Sequence, residues 1–209
     1  MVPNREIDFK RSIIIPETQN LVKRKPWGKC VDKKSLHCSI LLPPLYSTKL
    51  CVSMLNLHIA CLGKLKESYW NGAEQEYLKR MKPYAKITIT ELSEQPFRDV
   101  SEKKQIQKKE AETIKKYIKK NDITVALDEK GKHYSSKEFA AFVESLSSRG
   151  ERITWIIGGP LGLDPSLIAK AHHVVSLSSL TFPHQMTRII LLEQLYRVAT
   201  IIKNKPYHY

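Results

Sequence analysis

Three short stretches of this chain are apolar almost without a break: Leu55–Leu62 (LNLHIACL), Ile123–Leu127 (ITVAL) and Ile153–Ile157 (ITWII). Such runs are too continuous for a sheet with one wet face, so they read as strands covered on both sides. Segments of helical spacing separate them. Tyr69–Met81 stops before Pro83, and Ser136–Leu146 is amphipathic. Ser101–Lys119 is highly charged, with Ile106, Ile114, Tyr117 and Ile118 as its apolar positions. Lys86–Leu92 (KITITEL) alternates strictly, the pattern of a strand with one exposed face. The strand at Ile123–Leu127 is read as ending at Asp128 and a turn at Gly131. Asp164 caps a short helix with Pro165 at its first position. Val174–Leu177 is read as the last strand and Pro183–Ile202 as the last helix. Strands alternating with helices in this way predict an α/β fold, a mostly parallel sheet flanked by helices. There is no internal repeat.

Composition divides the chain near Met54. Residues 1–53 hold ten Lys or Arg against four acids, three of the four Cys and five of the eleven Pro, and show no sustained period. They read as a basic N-terminal extension that is disordered or not translated, with synthesis then starting at Met54; a transit peptide is a further reading. Residues 54–209 form the domain. The four Cys (Cys30, Cys38, Cys51, Cys61) have no CxxC spacing and no paired His, which favours free thiols over a disulfide framework and gives no metal site. No apolar run reaches the ~18 residues of a spanning helix. The formal charge of +14 suits an anionic partner such as nucleic acid. The Lys-rich stretch from Lys103 to Lys120 reads as a solvated face that can add to RNA affinity.

Small residues follow two of the strand ends. Gly158-Gly159-Pro160-Leu161-Gly162 lets backbone N–H groups approach a ligand, or simply makes a tight turn. It matches neither GxxxxGK[ST] nor GxGxxG, so a Walker-type phosphate loop is disfavoured. Leu177-Ser178-Ser179-Leu180-Thr181-Phe182 carries hydroxyls able to hydrogen-bond a base or ribose, while Thr181 can also cap the following helix. That helix is apolar over far more than one stripe, which points to burial against a second subunit. His184 and Arg188 share one face, and Glu193 and Arg197 form a structural ion pair roughly opposite. The chain finishes Pro206-Tyr207-His208-Tyr209, where aromatic and imidazole groups suit base stacking or proton transfer. His37, His58, His133, His172 and His173 show no ligand spacing.

In this order the segments Leu127–Lys132, Ile156–Gly162, Leu177–Arg188, Glu193–Arg197 and Tyr207-His208 resemble the SPOUT-class large-subunit ribosomal RNA methyltransferases that methylate N3 of a pseudouridine, the RlmH type. The resemblance covers residues 55–209; residues 1–53 have no counterpart in that family. It implies a C-terminal trefoil knot and a homodimer whose sites borrow groups from the partner. It also implies S-adenosylmethionine bound at Leu127, Gly158 and along Leu177, Ser178, Ser179, Leu180, Thr181 and Phe182. The expected partner is ribosomal RNA or the ribosome in the cytoplasm, or in an organelle if residues 1–53 are a transit peptide, with no metal and no membrane. For deprotonating an imide nitrogen, His208 is the first candidate base and His184 the second. Tyr207 would stack on or orient the base, and Arg188 would hold a phosphate or organise the pocket. Two other readings are a methyltransferase acting elsewhere on RNA, such as a tRNA ribose 2′-hydroxyl, and a non-catalytic RNA-binding module.

Overall fold

The computed structural model describes residues 54–96 and 99–207. His208, Tyr209 and the whole extension 1–53 lie outside the described residues. Five strands form one all-parallel sheet in the order β2-β1-β4-β3-β5: β1 Leu55–Leu62, β2 Ala85–Leu92, β3 Ile123–Lys132, β4 Ile153–Ile157 and β5 His173–Val175. The apolar runs take the interior positions. β1 pairs with β2 on one side and β4 on the other, and every residue of β4 is buried. The alternating strand β2 takes an edge and keeps exposed and half-buried residues.

Helices cover both faces. On one, α5 (His184–Ile202) packs between α1 (Ser68–Met81) and α3 (Ser136–Ser147). Leu191, Leu192, Leu195 and Val198 meet Leu57, Ile59, Trp155 and Val143 there. On the other, Ala111 and Ile114 of α2 (Lys103–Lys115) and Leu167 of α4 (Pro165–Ile168) cover Leu62, Ala126 and Ile156. One stripe of α5 finds its cover within the chain: Arg188, Leu191, Leu192, Leu195, Val198, Ala199 and Thr200 are buried. Ile189, Ile190, Ile201 and Ile202 remain half-buried and Met186 exposed. α3 starts at a capping box, with Ser135 and Glu138 exchanging hydrogen bonds, and Asp164 caps α4 as its sequence predicts.

Four boundaries differ from the sequence reading. β3 does not end at Leu127. Its pairing with β5 is interrupted by a bulge, and Lys132 returns opposite Val175. Gly131 therefore marks no simple turn: a Cβ there would lie 2.5 Å from the Val175 carbonyl carbon and 2.7 Å from the Ser176 nitrogen. α2 stops at Lys115 because the chain must turn to bring Asp122 under β3; Lys119 N–H donates to the Asp122 carboxylate at 2.8 Å. β5 is only three residues long, since Ser176 and Ser178 already bond within the next loop. Thr181 does not cap the last helix. Pro183, in an extended conformation, stands at the N-cap, and the helix begins at His184.

Polar groups cross the sheet at its N-terminal side. Arg152 holds Asp122 at 2.6 Å, Thr154 donates to Asp122 at 2.8 Å, and His58 lies 3.2 Å from Thr154 and 3.0 Å from Thr90. Burial lowers the His58 pKa below its ordinary 6.5, and Arg152 adds to the effect. Burial pushes Asp122 up, but Arg152, Lys119 N–H and Thr154 together hold it below 3.8. Both groups bind protons less readily in the folded than in the unfolded chain, so stability is full above pH 6.5 and falls as pH drops. We expect the urea midpoint to decline below pH 6.5 and again below 3.8, with the first decline smaller in His58→Phe, where His173, also lowered by burial, still contributes. Cys61, a free thiol within β1, is pushed up to about 12 mainly by burial and stays protonated at neutral pH.

Candidate active site

The C-terminal ends of β3, β4 and β5 open onto one cavity of about 1080 Å³. Parallel sheets place ligand sites at this edge, where each strand leaves its ladder and frees backbone groups. Leu127, Gly158, Leu177, Ser178, Leu180, Thr181 and Phe182 all line the cavity; Ser179, of the same loop, does not.

The loop after β4 is wound tightly. Gly162 sits at φ +77, its N–H bonds the Gly159 carbonyl at 3.0 Å, and a Cβ on Gly158 would press at 3.1 Å on Gly162 and Leu163. Its carbonyls are gripped from α2: buried Gln107 donates through Nε2 to Leu161 O at 2.8 Å, with Leu163 O at 3.3 Å and Gly162 O at 3.4 Å. The loop after β5 uses its own hydroxyls. Ser176 donates to Ser178 O at 2.8 Å, and Ser178 Oγ accepts from Leu180 N–H at 2.9 Å. Leu180 itself stands 71% exposed at the cavity, an unusual place for leucine unless something apolar covers it.

His184 also lines the cavity, and its Nε2 lies 2.9 Å from Glu94 Oε1. The two atoms are close but poorly aligned for a hydrogen bond, and both are shut off from solvent. Gly63, at φ +83, makes room for them: a Cβ there would fall 2.2 Å from Glu94 Oε1 and 2.9 Å from His184 Nε2. Nearby, burial raises the Glu110 carboxyl above its ordinary range, opposed by the Gln95 N–H it accepts and reinforced by Glu94.

Arg188 is 1% exposed and does not line the cavity. Its guanidinium donates to Glu91 at 2.6 Å, Glu74 at 3.2 Å and Gly63 O at 2.7 Å. Turned toward two carboxylates and a carbonyl, it cannot also hold a phosphate. Of the two expected roles, organising the pocket is the one its geometry allows. The Glu193–Arg197 ion pair forms at 2.6 Å. Tyr207 folds back onto it, 4.7 Å from the Tyr196 ring, beneath Arg197, and away from this chain's cavity lining. His208 lies outside the described residues.

Sequence reasoning missed Gln107, Glu94 and Gly63. Gln107 did leave a signal, because it falls on the buried stripe of α2 with Ile106, Ala111 and Ile114, where an amide must find partners. The other two act through contacts across the fold and leave none. Chemically, the site offers a roomy cavity walled by backbone groups, with one imidazole beside a carboxylate. Among the described residues no group of three His, Cys, Asp or Glu gathers for a metal ion, and no helix is long and apolar enough to cross a membrane.

Residues 55–208 match the protein family described as "Predicted SPOUT methyltransferase". Among curated proteins, the chain is 43% identical over 159 residues to the ribosomal RNA large subunit methyltransferase H of Desulforamulus reducens. It is 42% identical over 158 residues to the protein of that name from Clostridium acetobutylicum. Each alignment takes in 74% of this chain and 99% of the relative. The Halothermothrix orenii protein of the same name is 39% identical over the same shares.

Proposed function

The chain belongs to the SPOUT methyltransferase family, and from that premise we propose that it methylates N3 of a pseudouridine in large-subunit ribosomal RNA. The observation that carries the reading is the single cavity at three strand ends, lined by seven of the eight residues expected to hold the cofactor. S-adenosylmethionine is the methyl donor. The cavity is large enough for it, since pockets for drug-sized ligands generally measure roughly 300–1,000 Å³. It suits it in chemistry too: glycines at 158 and 162 bring bare backbone close, and Leu127, Leu180 and Phe182 offer apolar cover. Bound there, the donor supplies an electrophilic methyl group with its own leaving group, so the protein's task is placement and removal of one proton.

Gln107 fixes the wall at Leu161–Leu163, and Arg188 fixes the turn at Gly63. Holding two reactants in line is worth several kcal/mol of barrier in general. His184, beside Glu94 at the cavity edge, can take the imide proton on its imidazole; His208 keeps the first place as base. Tyr207 is proposed to serve the substrate side. A homodimer belongs to the same reading: Tyr207 does not reach its own chain's cavity, and α5 keeps half-buried Ile189 and Ile190 for a partner. So do the knot, the cytoplasmic ribosome as location, and the division into an extension 1–53 and a domain 54–209.

The test is transfer of labelled methyl to ribosomes lacking the modification, followed by mass spectrometry of the nucleosides, with calorimetry for cofactor binding. We expect cofactor binding and label on N3 of one pseudouridine. Label on a ribose or in tRNA overturns the substrate, and no binding of S-adenosylmethionine overturns the enzyme.

A further inference from the structure

α2 has two different surfaces. Inward, Ile106, Gln107, Glu110, Ala111 and Ile114 are buried, and Gln107 holds the loop that walls the cavity. Outward, Lys104, Lys108 and Lys115 fall on one flank, by spacings of four and seven residues, and all three are exposed. Lys103, at the start of the helix, lines the cavity itself. α2 packs through Ala111 and Ile114 on Leu163 and Leu167, next to the cavity wall formed by α4, so the helix borders the cavity. None of the four lysines has an ion-pair partner among the described residues. Like charges four apart on a helix are mildly unfavourable, and Glu112, four residues after Lys108 and three before Lys115, is the single exposed acid of α2 set among them. A row of three exposed lysines with one acid among them, on a helix whose first lysine lines a ligand cavity, is best explained by an anion that supplies the remaining compensation.

We propose that Lys104, Lys108 and Lys115 form a track for the sugar-phosphate backbone of the substrate RNA, leading past Lys103 to the cavity. The proposal rests on the RNA-methylating function above and names the path by which that substrate enters. From Lys104 to Lys115 the helix rises about 16 Å. At 3.4 Å per stacked nucleotide of one strand, that is room for about five. A lipid surface fits less well, because membrane-binding helices join a basic face to a broad exposed apolar one. The apolar residues of α2 are instead buried in the domain.

The experiment compares the triple variant Lys104→Gln, Lys108→Gln and Lys115→Gln with a control that removes equal charge elsewhere, Lys79→Gln, Lys82→Gln and Lys86→Gln. Ribosomes lacking the modification are the probe. Each lysine that neutralises a phosphate of a single strand adds about 0.7 to the slope of log K against log salt, so the slope should shrink by about 2 in the α2 variant and hardly change in the control. KM for RNA should rise at least tenfold, with kcat at saturating RNA and S-adenosylmethionine affinity unchanged. If the α2 variant and the control behave alike while the wild-type chain binds, the track is overturned and the function stands. If the wild-type chain neither binds nor methylates these ribosomes, both fall. If the α2 variant instead loses retention on phosphatidylserine vesicles and keeps its RNA slope, the surface serves a membrane and the track is overturned.

Discussion

Arg188→Met is expected to remove about 3 kcal/mol of folding stability, more than an apolar residue of similar length would cost at most buried sites. Breaking a buried ion pair is harmful chiefly for the charge left behind. The two carboxylates facing Arg188 differ in this respect. Glu91 has 35% of its side chain exposed and can rehydrate, whereas Glu74 has 11% and cannot. The loss should therefore fall mainly on Glu74. Adding Glu74→Gln to Arg188→Met should restore part of the stability, while Glu91→Gln should restore little. Urea titrations at constant m measure all three. Equal rescue by both second changes would show that exposure does not decide the outcome. Cofactor affinity should fall as well, because Gly63 loses the donor that fixes its carbonyl beside the cavity.

Gly131→Ala should be among the most damaging exchanges of one methyl group in the domain. The added carbon would meet backbone, at 2.5 Å from Val175 C and 2.7 Å from Val175 N and Ser176 N, and backbone in a ladder cannot rotate aside. Overpacking of this kind generally costs about 1–3 kcal/mol. The strain lands where β3 and β5 meet, between two loops of the cavity, so S-adenosylmethionine affinity should fall at least tenfold by calorimetry. Gly72→Ala is the matched comparison, since nothing lies within 4 Å of its added carbon and it sits inside α1. It should be neutral or slightly stabilising, because alanine is the better helix former. Similar behaviour of the two variants would refute the close-approach account.

These two residues also show why some of the site is legible in the sequence and some is not. The central strands declare themselves through ITVAL and ITWII, because a strand covered on both faces has no polar side to disguise it. The cavity loops are legible because small and hydroxyl residues follow strand ends directly. Gly131 reads wrongly as a turn: its neighbours Asp128 to Lys130 supply turn-like chemistry, while the atom that forbids a side chain belongs to a strand 44 positions on. Gln107 reaches a carbonyl 54 positions away and Arg188 one 125 positions away. Local pattern holds no record of such partners. The overlong reading of α2 has the same origin, since the demand for Asp122 comes from Arg152 and Thr154. For α5, continuous apolarity alone suggests a second subunit, whereas α1 and α3 flank it within the chain.

The strand order carries a consequence for how the chain comes to be folded. β1, the first strand, sits next to the sheet's centre, and its partner on that side is β4, so that His58 meets Thr154 across 96 positions of sequence. As the polypeptide leaves the ribosome, β1 and β2 can pair early, but one flank of β1 has no neighbour until residue 157 has emerged. The face of Leu57 and Ile59 waits longer still, for α5. Ordering such distant contacts makes folding slow, and it leaves an apolar edge open to other chains in the interval. Charged Lys64, Lys66 and Glu67, directly after β1, keep that waiting segment hydrophilic at its end. A holdase chaperone would find its binding site on this domain in β1.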